Sequence, residues 1–310
     1  MQRSRWSEVT AIASRDLAKA RQAAAALGIP KAYGSYEALL DDPEIEAVYN
    51  PLPNDLHVPW SMRAAERGKH VLCEKPIALS SREALALVAA RDLAGVLVQE
   101  AFMVRHHPQW QAALAVVESG RIGTVRATVG AFSYFNDDPA NIRNVVAAGG
   151  GGLMDIGCYL VHTARMIFCR EPARAIALVD RDPRFGTDRV TSMMLDFEPA
   201  HAIGTCSTQL APFQQVHILG TAGRIEIEIP FNAPIDRPCR VLVDGTPLDL
   251  PVCDQYTIQA DLLSRAIRER APAPYPLEDS VKNMAVIEAL FRSASSGRWE
   301  QPEPLDALGR

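Results

Sequence analysis

The sequence lacks an excess of positive charge: 32 Lys and Arg stand against 37 Asp and Glu, for a formal net charge of −5. General electrostatic attraction to nucleic acid or to an anionic membrane is therefore excluded, and a small molecule is the partner to expect. The sequence also lacks any apolar run long enough to cross a bilayer, and no charged segment followed by an apolar one opens it as a secretory signal. Its six cysteines (Cys73, Cys158, Cys169, Cys206, Cys239 and Cys253) are scattered without a CxxC pair, so reduced thiols and a cytoplasmic location are expected. No internal repeat or low-complexity stretch is present. At 310 residues the chain exceeds the usual size of one domain, and two domains are the expectation.

What is present in the first hundred residues is one unit used repeatedly: a short apolar run, then a helical pattern. "VTAIAS" (9–14) precedes "RDLAKARQAAAAL", "AVYNPLP" (47–53) precedes "HVPWSMRAAERG", "HVLCE" (70–74) precedes "SSREALALVAARDLAG", and "VLVQEAF" (96–102) follows. Short strands without polar alternation, spaced by helices, predict a doubly wound parallel sheet covered on both faces. Ser80, Ser81 and Glu83 start the third helix, and Gly95 stops it. From about residue 123 the runs lengthen and alternate, as in "TVRATVGAFSYF", "VTSMMLDF" and "GRIEIEI", with "GTAG" as a turn. An α+β domain with a mainly antiparallel open sheet is predicted there, interrupted by a helix at "LMDIGCYLVHTARMIF" and closed by one over 277–297. The division is placed as 1–102, dinucleotide-binding, and 103–310, substrate-binding and oligomerisation. "GRIEIEI" and "VTSMMLDF" carry apolar residues beyond the inward positions, which predicts a sheet face turned to a second copy and a homodimer or larger homo-oligomer.

In doubly wound sheets ligands bind beyond the carboxyl ends of the strands. Ser14, the "NPLPNDLH" turn and Glu74-Lys75-Pro76 all fall there. A lone lysine at a strand end commonly snorkels to solvent, but Glu74 precedes Lys75 and Pro76 restricts it, so the side chain is held. A fixed ammonium at that rim can hydrogen-bond a substrate hydroxyl and stabilise the alkoxide that develops as hydride leaves.

In "GGGGLMDIGCYLVH" (149–162), helical spacing puts Asp155, Tyr159 and His162 on one face, with Cys158 also in line with His162. Ordinary helix packing accounts for any one of them. Asp155, Cys158 and His162 have the ligand types of a metal site but no obvious further ligand, and no metal is expected. A tyrosine near Lys75 is chemically more useful: its phenol, with a reference pKa of roughly 10, would be drawn toward phenolate by the ammonium and could shuttle a proton to or from a carbonyl oxygen. The four glycines are not followed by GK[ST], so close backbone approach is the better reading than a phosphate loop. At "ASRD" (13–16), Ser14, Arg15 and Lys19 are either a solvated helix start or a set suited to a 2′-phosphate, where an acidic residue would instead bind ribose hydroxyls.

Taken together, "EKP", "PLPNDLH", "EAFMVRHHPQ" (100–109), "GRIGTV" (120–125) and "GGGLMDIGCY" (150–159) make the chain resemble the Gfo/Idh/MocA oxidoreductase family from about residue 9 to 297. It is most similar to the branch that contains glucose-fructose oxidoreductase, dimeric dihydrodiol dehydrogenase and NADP-dependent xylose dehydrogenase. The resemblance implies a Rossmann-type domain, hydride transfer between NADP, favoured over NAD, and a sugar, cyclic diol or related polyol, and action on the substrate hydroxyl by Lys75, Asp155 and Tyr159. Many members have His where Tyr159 stands. It further implies a cis Lys75-Pro76 peptide, and a cofactor site that takes in Pro51, Leu52, Asn54, His57 and Glu74, with Arg105 and Arg143 as further contacts.

The departure is at the start. A dinucleotide fold opens with a strand running into GxGxxG, whereas "MQRSRWSEVTAIAS" offers no such strand before Val9, and its first eight residues read as the tail of a helix. Two accounts stay open: Met1 is internal to a longer protein, which the intact downstream elements favour, or the chain is a shortened, noncatalytic relative that binds dinucleotide poorly.

Overall fold

The computed structural model describes residues 1–308. In the N-terminal part, β1 (Ala11–Ala13) pairs in parallel with β2 (Lys31–Tyr33), and β3 (Ala47–Asn50), β4 (His70–Cys73) and β5 (Val98–Glu100) form a second parallel sheet with β4 in the middle. Helices α1 (Leu17–Leu27), α2 (Tyr36–Leu40), α3 (His57–Glu66) and α4 (Ser81–Ala94) connect them. Local chemistry sets the helix bounds. The Asp16 carboxylate accepts from the Ala18 and Lys19 amides at the start of α1, Ser80 accepts from the Glu83 amide at the start of α4, and left-handed Gly28 and Gly95 end the two helices. Val71, Leu72 and Cys73 of β4 are all buried, as expected of a strand covered on both faces.

The second part is one eight-stranded sheet. Its strands are β6 (Val125–Phe135), β7 (Arg174–Arg181), β8 (Asp188–Asp196), β9 (His201–Ser207), β10 (Gln209–Gly220), β11 (Arg224–Ile227), β12 (Val241–Val243) and β13 (Thr246–Pro247), in the order β13-β12-β11-β10-β6-β9-β8-β7. All neighbours are antiparallel except β6 and β9. The "GTAG" turn joins β10 to β11, with the Gly220 amide donating to the Gly223 carbonyl at 2.9 Å. Helix α6 (Cys158–Phe168) lies against the inner face, where Leu160 occupies the space that a side chain at Gly130 or Gly204 would need. Helix α5 (Pro108–Glu118) precedes the sheet and α7 (Gln255–Glu269) follows it; α9 (Leu305–Leu308) ends the described chain.

Helix α8 (Leu277–Ser296) ties the two parts together. It offers Glu278 to Arg91 of α4 at 2.7 Å, and Ser293, whose hydroxyl accepts from the Ala177 amide of β7 at 3.1 Å. Burial on two sides explains why the helix has apolar residues around much of its circumference.

Three expectations are corrected. Residues 1–8 form no helix: Ser4 donates its hydroxyl to Asp261 of α7, and the Trp6 ring lies under Arg265 at 5.1 Å. In "GRIEIEI", Ile225 and Ile227 are buried while Glu226 points outward to Gln215, so this strand alternates cleanly; in "VTSMMLDF", Met193, Leu195 and Phe197 are buried and Met194 is half-buried. The large apolar side chains that the sheet does expose are Val129, Phe135, Leu178, Ile203, Leu210 and Phe213.

Burial holds five of the seven histidines neutral: His57, His70, His106, His107 and His162 all lie below the ordinary value of 6.5, with His106 and His107 at about 4. It raises two carboxyls, Glu100 to about 7 and Asp188 to about 6. As pH falls from 6.5 toward 4, the unfolded chain takes up protons at five imidazoles that the fold excludes, against two that the folded carboxyls retain. Stability therefore declines with acidification. Thermal unfolding at about pH 5 is expected at a lower Tm than at about pH 7.5, and an equal or higher Tm at the acid pH would contradict the assignment of neutral buried rings.

Candidate functional site

The turn that leaves β4 carries Glu74, Lys75 and Pro76, and its Lys75-Pro76 peptide is cis, as the resemblance implies. Lys75 Nζ donates to the Asp155 carbonyl at 2.6 Å and lies 3.4 Å from its carboxylate Oδ1. Asp155 sits in a wide π turn, Leu153–Gly157, that leads into α6, a feature frequent at functional sites. Its other oxygen, Oδ2, accepts from Arg143 Nε at 3.1 Å and from the Tyr134 hydroxyl.

Lys75 and Asp155 expose only 13% and 12% of their side chains, so each charge depends on the other. Burial pushes the Asp155 carboxyl up, but the Lys75 and Arg143 charges and the Tyr134 hydroxyl outweigh it and hold the group below its ordinary value. Burial likewise opposes the Lys75 ammonium, and the Asp155 charge reverses that effect and raises it. Arg143 is raised by the same carboxylate. The cluster is one carboxylate holding two cations at the mouth of a cleft.

That cleft has a volume of about 360 Å³ and is lined by Glu74, Lys75, Met103, Phe132, Tyr134, Asn136, Arg143, Asp155, Ile156, Tyr159, Asn232 and Tyr256. Of the side chains singled out from sequence, it gathers Glu74, Lys75, Arg143, Asp155 and Tyr159. Phe132, Tyr134 and Asn136 were missed, although alternation at the end of β6 places residues 132, 134 and 136 on one side. Met103 and Asn232 come from short irregular segments, and Tyr256 from the first turn of α7, whose helical period does not mark it as a cleft residue.

Tyr159 requires a correction of chemistry. Lys75 Nζ lies over its ring, 5.0 Å from the centroid, and the hydroxyl faces Met103 Sδ at 3.5 Å. Burial, reinforced by the Glu74 charge, raises the phenol well above its ordinary value, so the ammonium does not draw it toward phenolate.

The remaining predicted residues surround this centre. The glycine loop approaches its neighbours as expected: a Cβ at Gly150 would lie 2.5 Å from the Arg143 carbonyl oxygen, and one at Gly151, where φ is +118°, 1.9 Å from Asp188 Oδ1. Asn54 donates to the Gly149 carbonyl at 2.9 Å, linking the "PLPNDLH" turn to that loop. Pro51 is exposed, whereas His57 is buried, with Nδ1 against the Pro76 carbonyl and Nε2 against the Leu52 carbonyl, each at 2.7 Å. His57 is thus enclosed by backbone and is not a lining residue. Glu74 accepts from the Tyr49 hydroxyl at 2.5 Å. Ser14, Arg15 and Lys19 lie together at the end of β1 and the start of α1, with Arg15 and Lys19 exposed.

Arg105 is placed away from the cleft, paired with Asp279 at 3.1 Å and over the Tyr275 ring at 4.5 Å. His162 is buried and stacks on Phe102 at 4.0 Å, while Cys158 donates to the Asp155 carbonyl at 3.6 Å; among the described residues no three His, Cys, Asp or Glu side chains converge as metal ligands.

Replacing Asp155 by Ala leaves two cations and a phenol without their common acceptor. Removing one partner of a buried pair costs about 3–5 kcal/mol, whereas Tyr134→Phe removes a single bond to a charge, about 1.5–3 kcal/mol. Urea unfolding should rank the variants in that order, and an Asp155→Ala loss below about 1 kcal/mol would contradict the central role of the carboxylate.

The family model described as "Oxidoreductase family, NAD-binding Rossmann fold" matches residues 1–102, and the "GFO/IDH/MocA C-terminal domain" matches residues 110–226. The chain is 49% identical over 303 residues to an uncharacterised oxidoreductase of Rhizobium meliloti, covering 94% of this chain and 91% of that protein. It is 38% identical over 296 residues to D-xylose 1-dehydrogenase (NADP(+)) 2 of Haloferax volcanii, covering 94% and 90% of the two chains. Among solved structures it is similar to the 3-ketoreductase KijD10 from Actinomadura kijaniata in complex with TDP-benzene and NADP, with a TM-score of 0.86, 26% identity, and coverage of 94% and 91%. A parallel-sheet part with a lysine-bearing turn, followed by an open-sheet part that supplies the partner carboxylate, agrees with these matches, and the chain belongs to the Gfo/Idh/MocA family of NAD(P)-binding oxidoreductases.

Proposed function

We propose that the protein is an NADP-dependent dehydrogenase or reductase that acts on a sugar, cyclic diol or related polyol. The observation that carries this reading is the Lys75 ammonium, held by Asp155 at the mouth of a cleft lined by Tyr134, Tyr159, Tyr256, Asn136 and Asn232. Such a lining offers hydroxyl and amide partners to a polyhydroxylated molecule and ring faces to its C–H surface. The D-xylose dehydrogenase relative and the NADP complex of KijD10 support the same choice of substrate class and cofactor.

The donor set at the end of β1 fits the cofactor: the Ser14 hydroxyl, Arg15 guanidinium and Lys19 ammonium suit a 2′-phosphate, while the neighbouring Asp16 carboxylate is engaged with the Ala18 and Lys19 amides as the cap of α1. When bound, the nicotinamide supplies or accepts the hydride. Lys75 donates a hydrogen bond to the reacting oxygen and stabilises negative charge on it. Asp155 positions the ammonium, and Arg143, drawn to the same carboxylate, completes the cationic rim. Tyr159, neutral because it is buried, holds the proton that a carbonyl oxygen takes up on reduction; oxidation needs that phenol to give up its proton and therefore quickens toward alkaline pH. Exposed Val129, Leu178, Ile203 and Phe213 on one sheet support a homo-oligomer, and light scattering at micromolar concentration should return at least twice the chain mass.

The chemical roles are tested with D-xylose and NADP+, extending to other aldoses and cyclic diols. Tyr159→Phe should lower kcat by about 10²–10⁴ with NADPH affinity nearly unchanged, and Lys75→Ala should lower it at least as far. Normal turnover in Tyr159→Phe would remove Tyr159 from its role. Arg15→Ala should weaken NADPH by a factor corresponding to about 1.5–3 kcal/mol and leave NADH unaffected. Calorimetry that detects no NADPH binding to the unaltered protein would favour a noncatalytic function.

A further inference from the structure

The peptide that follows the lysine turn, between Pro76 and Ile77, is held at both ends. Its carbonyl oxygen lies 2.7 Å from His57 Nδ1, and its amide donates to Glu100 Oε1, also at 2.7 Å. Both side chains are 1% exposed, and Ile77 is fully buried, so water reaches neither bond. The Glu100 holder is itself anchored, its backbone carbonyl accepting from the Tyr275 hydroxyl. The neutral His57 ring has one N–H and can donate to only one of the Pro76 and Leu52 carbonyls, and the hold on this peptide assigns that bond to Nδ1–H and Pro76. Placing an imidazole and a carboxyl in the interior is costly for a purpose that apolar packing would serve, and besides the Ile77 amide the Glu100 carboxyl has only the Ser280 hydroxyl beside it. What apolar packing does not supply is orientation, since two hydrogen bonds at opposite ends of one peptide fix its plane. Lys75 is one residue away, and its four-carbon stem is free to turn unless both ends are fixed. Asp155 holds the ammonium end.

We infer that His57 and Glu100 are positioning residues that clamp the Pro76–Ile77 peptide and thereby set the backbone end of Lys75. This rests on the reading of Lys75 as the group that meets substrate. The clamp needs an acceptor at 100 and a donor at 57, not a charge. Glu100→Gln and His57→Asn preserve those atoms, while Glu100→Leu and His57→Leu remove them.

The test is competitive acetylation of the whole protein with acetic anhydride, read residue by residue by mass spectrometry. Lys75 labelling should rise at least about fivefold in both Leu variants and stay within about twofold of the unaltered protein in Glu100→Gln and His57→Asn. Lys69, buried at the far end of the same strand with its ammonium on the Asp42 carbonyl, reports general loosening and should not change. In turnover, the Leu variants should lose kcat by about tenfold or more without a matching change in NADPH affinity, and should add nothing to the loss in Lys75→Ala. Unchanged Lys75 labelling in both Leu variants, or Lys69 rising in step with Lys75, would overturn the inference. If labelling behaves as expected but Lys75→Ala still turns over normally, the clamp stands and the catalytic reading of Lys75 falls.

Discussion

One buried carboxylate organises this site. Asp155 joins three elements that are distant in sequence: the turn after β4 through Lys75, the end of β6 through Tyr134, and the segment before the glycine loop through Arg143. Opposite charges about 4 Å apart attract by roughly 4 kcal/mol at the effective dielectric of a protein near its surface, and that attraction competes with a desolvation penalty of several kcal/mol per ion. Neither charge is stable alone at this depth. The ammonium is available to a ligand because the carboxylate is present, and the carboxylate is ionised because two cations face it.

The rest of the fold serves to bring these groups to one place. The parallel strands end on one rim, where the cleft opens, and the large sheet contributes the cleft's far wall from β6. Glycines 150 and 151 let the loop before the π turn pass so close to Arg143 and Asp188 that no other side chain fits. Helix α8 and its ion pairs, Arg91 with Glu278 and Arg165 with Asp279, keep the two parts in register. Arg105 belongs to this framework, because it shares Asp279 with Arg165.

Much of this was legible in the sequence, and the boundary is physical. Parallel strands announce themselves by unbroken apolar runs, helix ends by Ser80 and Gly95, and the antiparallel sheet by alternation, because those patterns reflect burial along one element. Lys75, Asp155 and Tyr159 stood out because they lie in dense, unusual motifs. Tyr134, Asn232 and Tyr256 did not, since their part in the cleft depends on how separate elements meet. The π turn at Leu153–Gly157 leaves no compositional mark, so an α-helical wheel overstated how alike Asp155, Tyr159 and His162 are: the first two face the cleft and His162 faces Phe102. His57 shows the same limit. Its neighbours in sequence do line a rim, but only the fold reveals that its ring points inward to two carbonyls.

The central claim is that the Asp155-held ammonium of Lys75 attends a direct hydride transfer. The most direct measurement follows isotope: D-xylose carrying deuterium at its reacting carbon is incubated with NADP+ and the protein, and the nicotinamide is examined by NMR. The account predicts deuterium on the reduced nicotinamide ring from the unaltered protein and none above background from Lys75→Ala. Reduced nicotinamide without label, or equal label from the Lys75 variant, would contradict it.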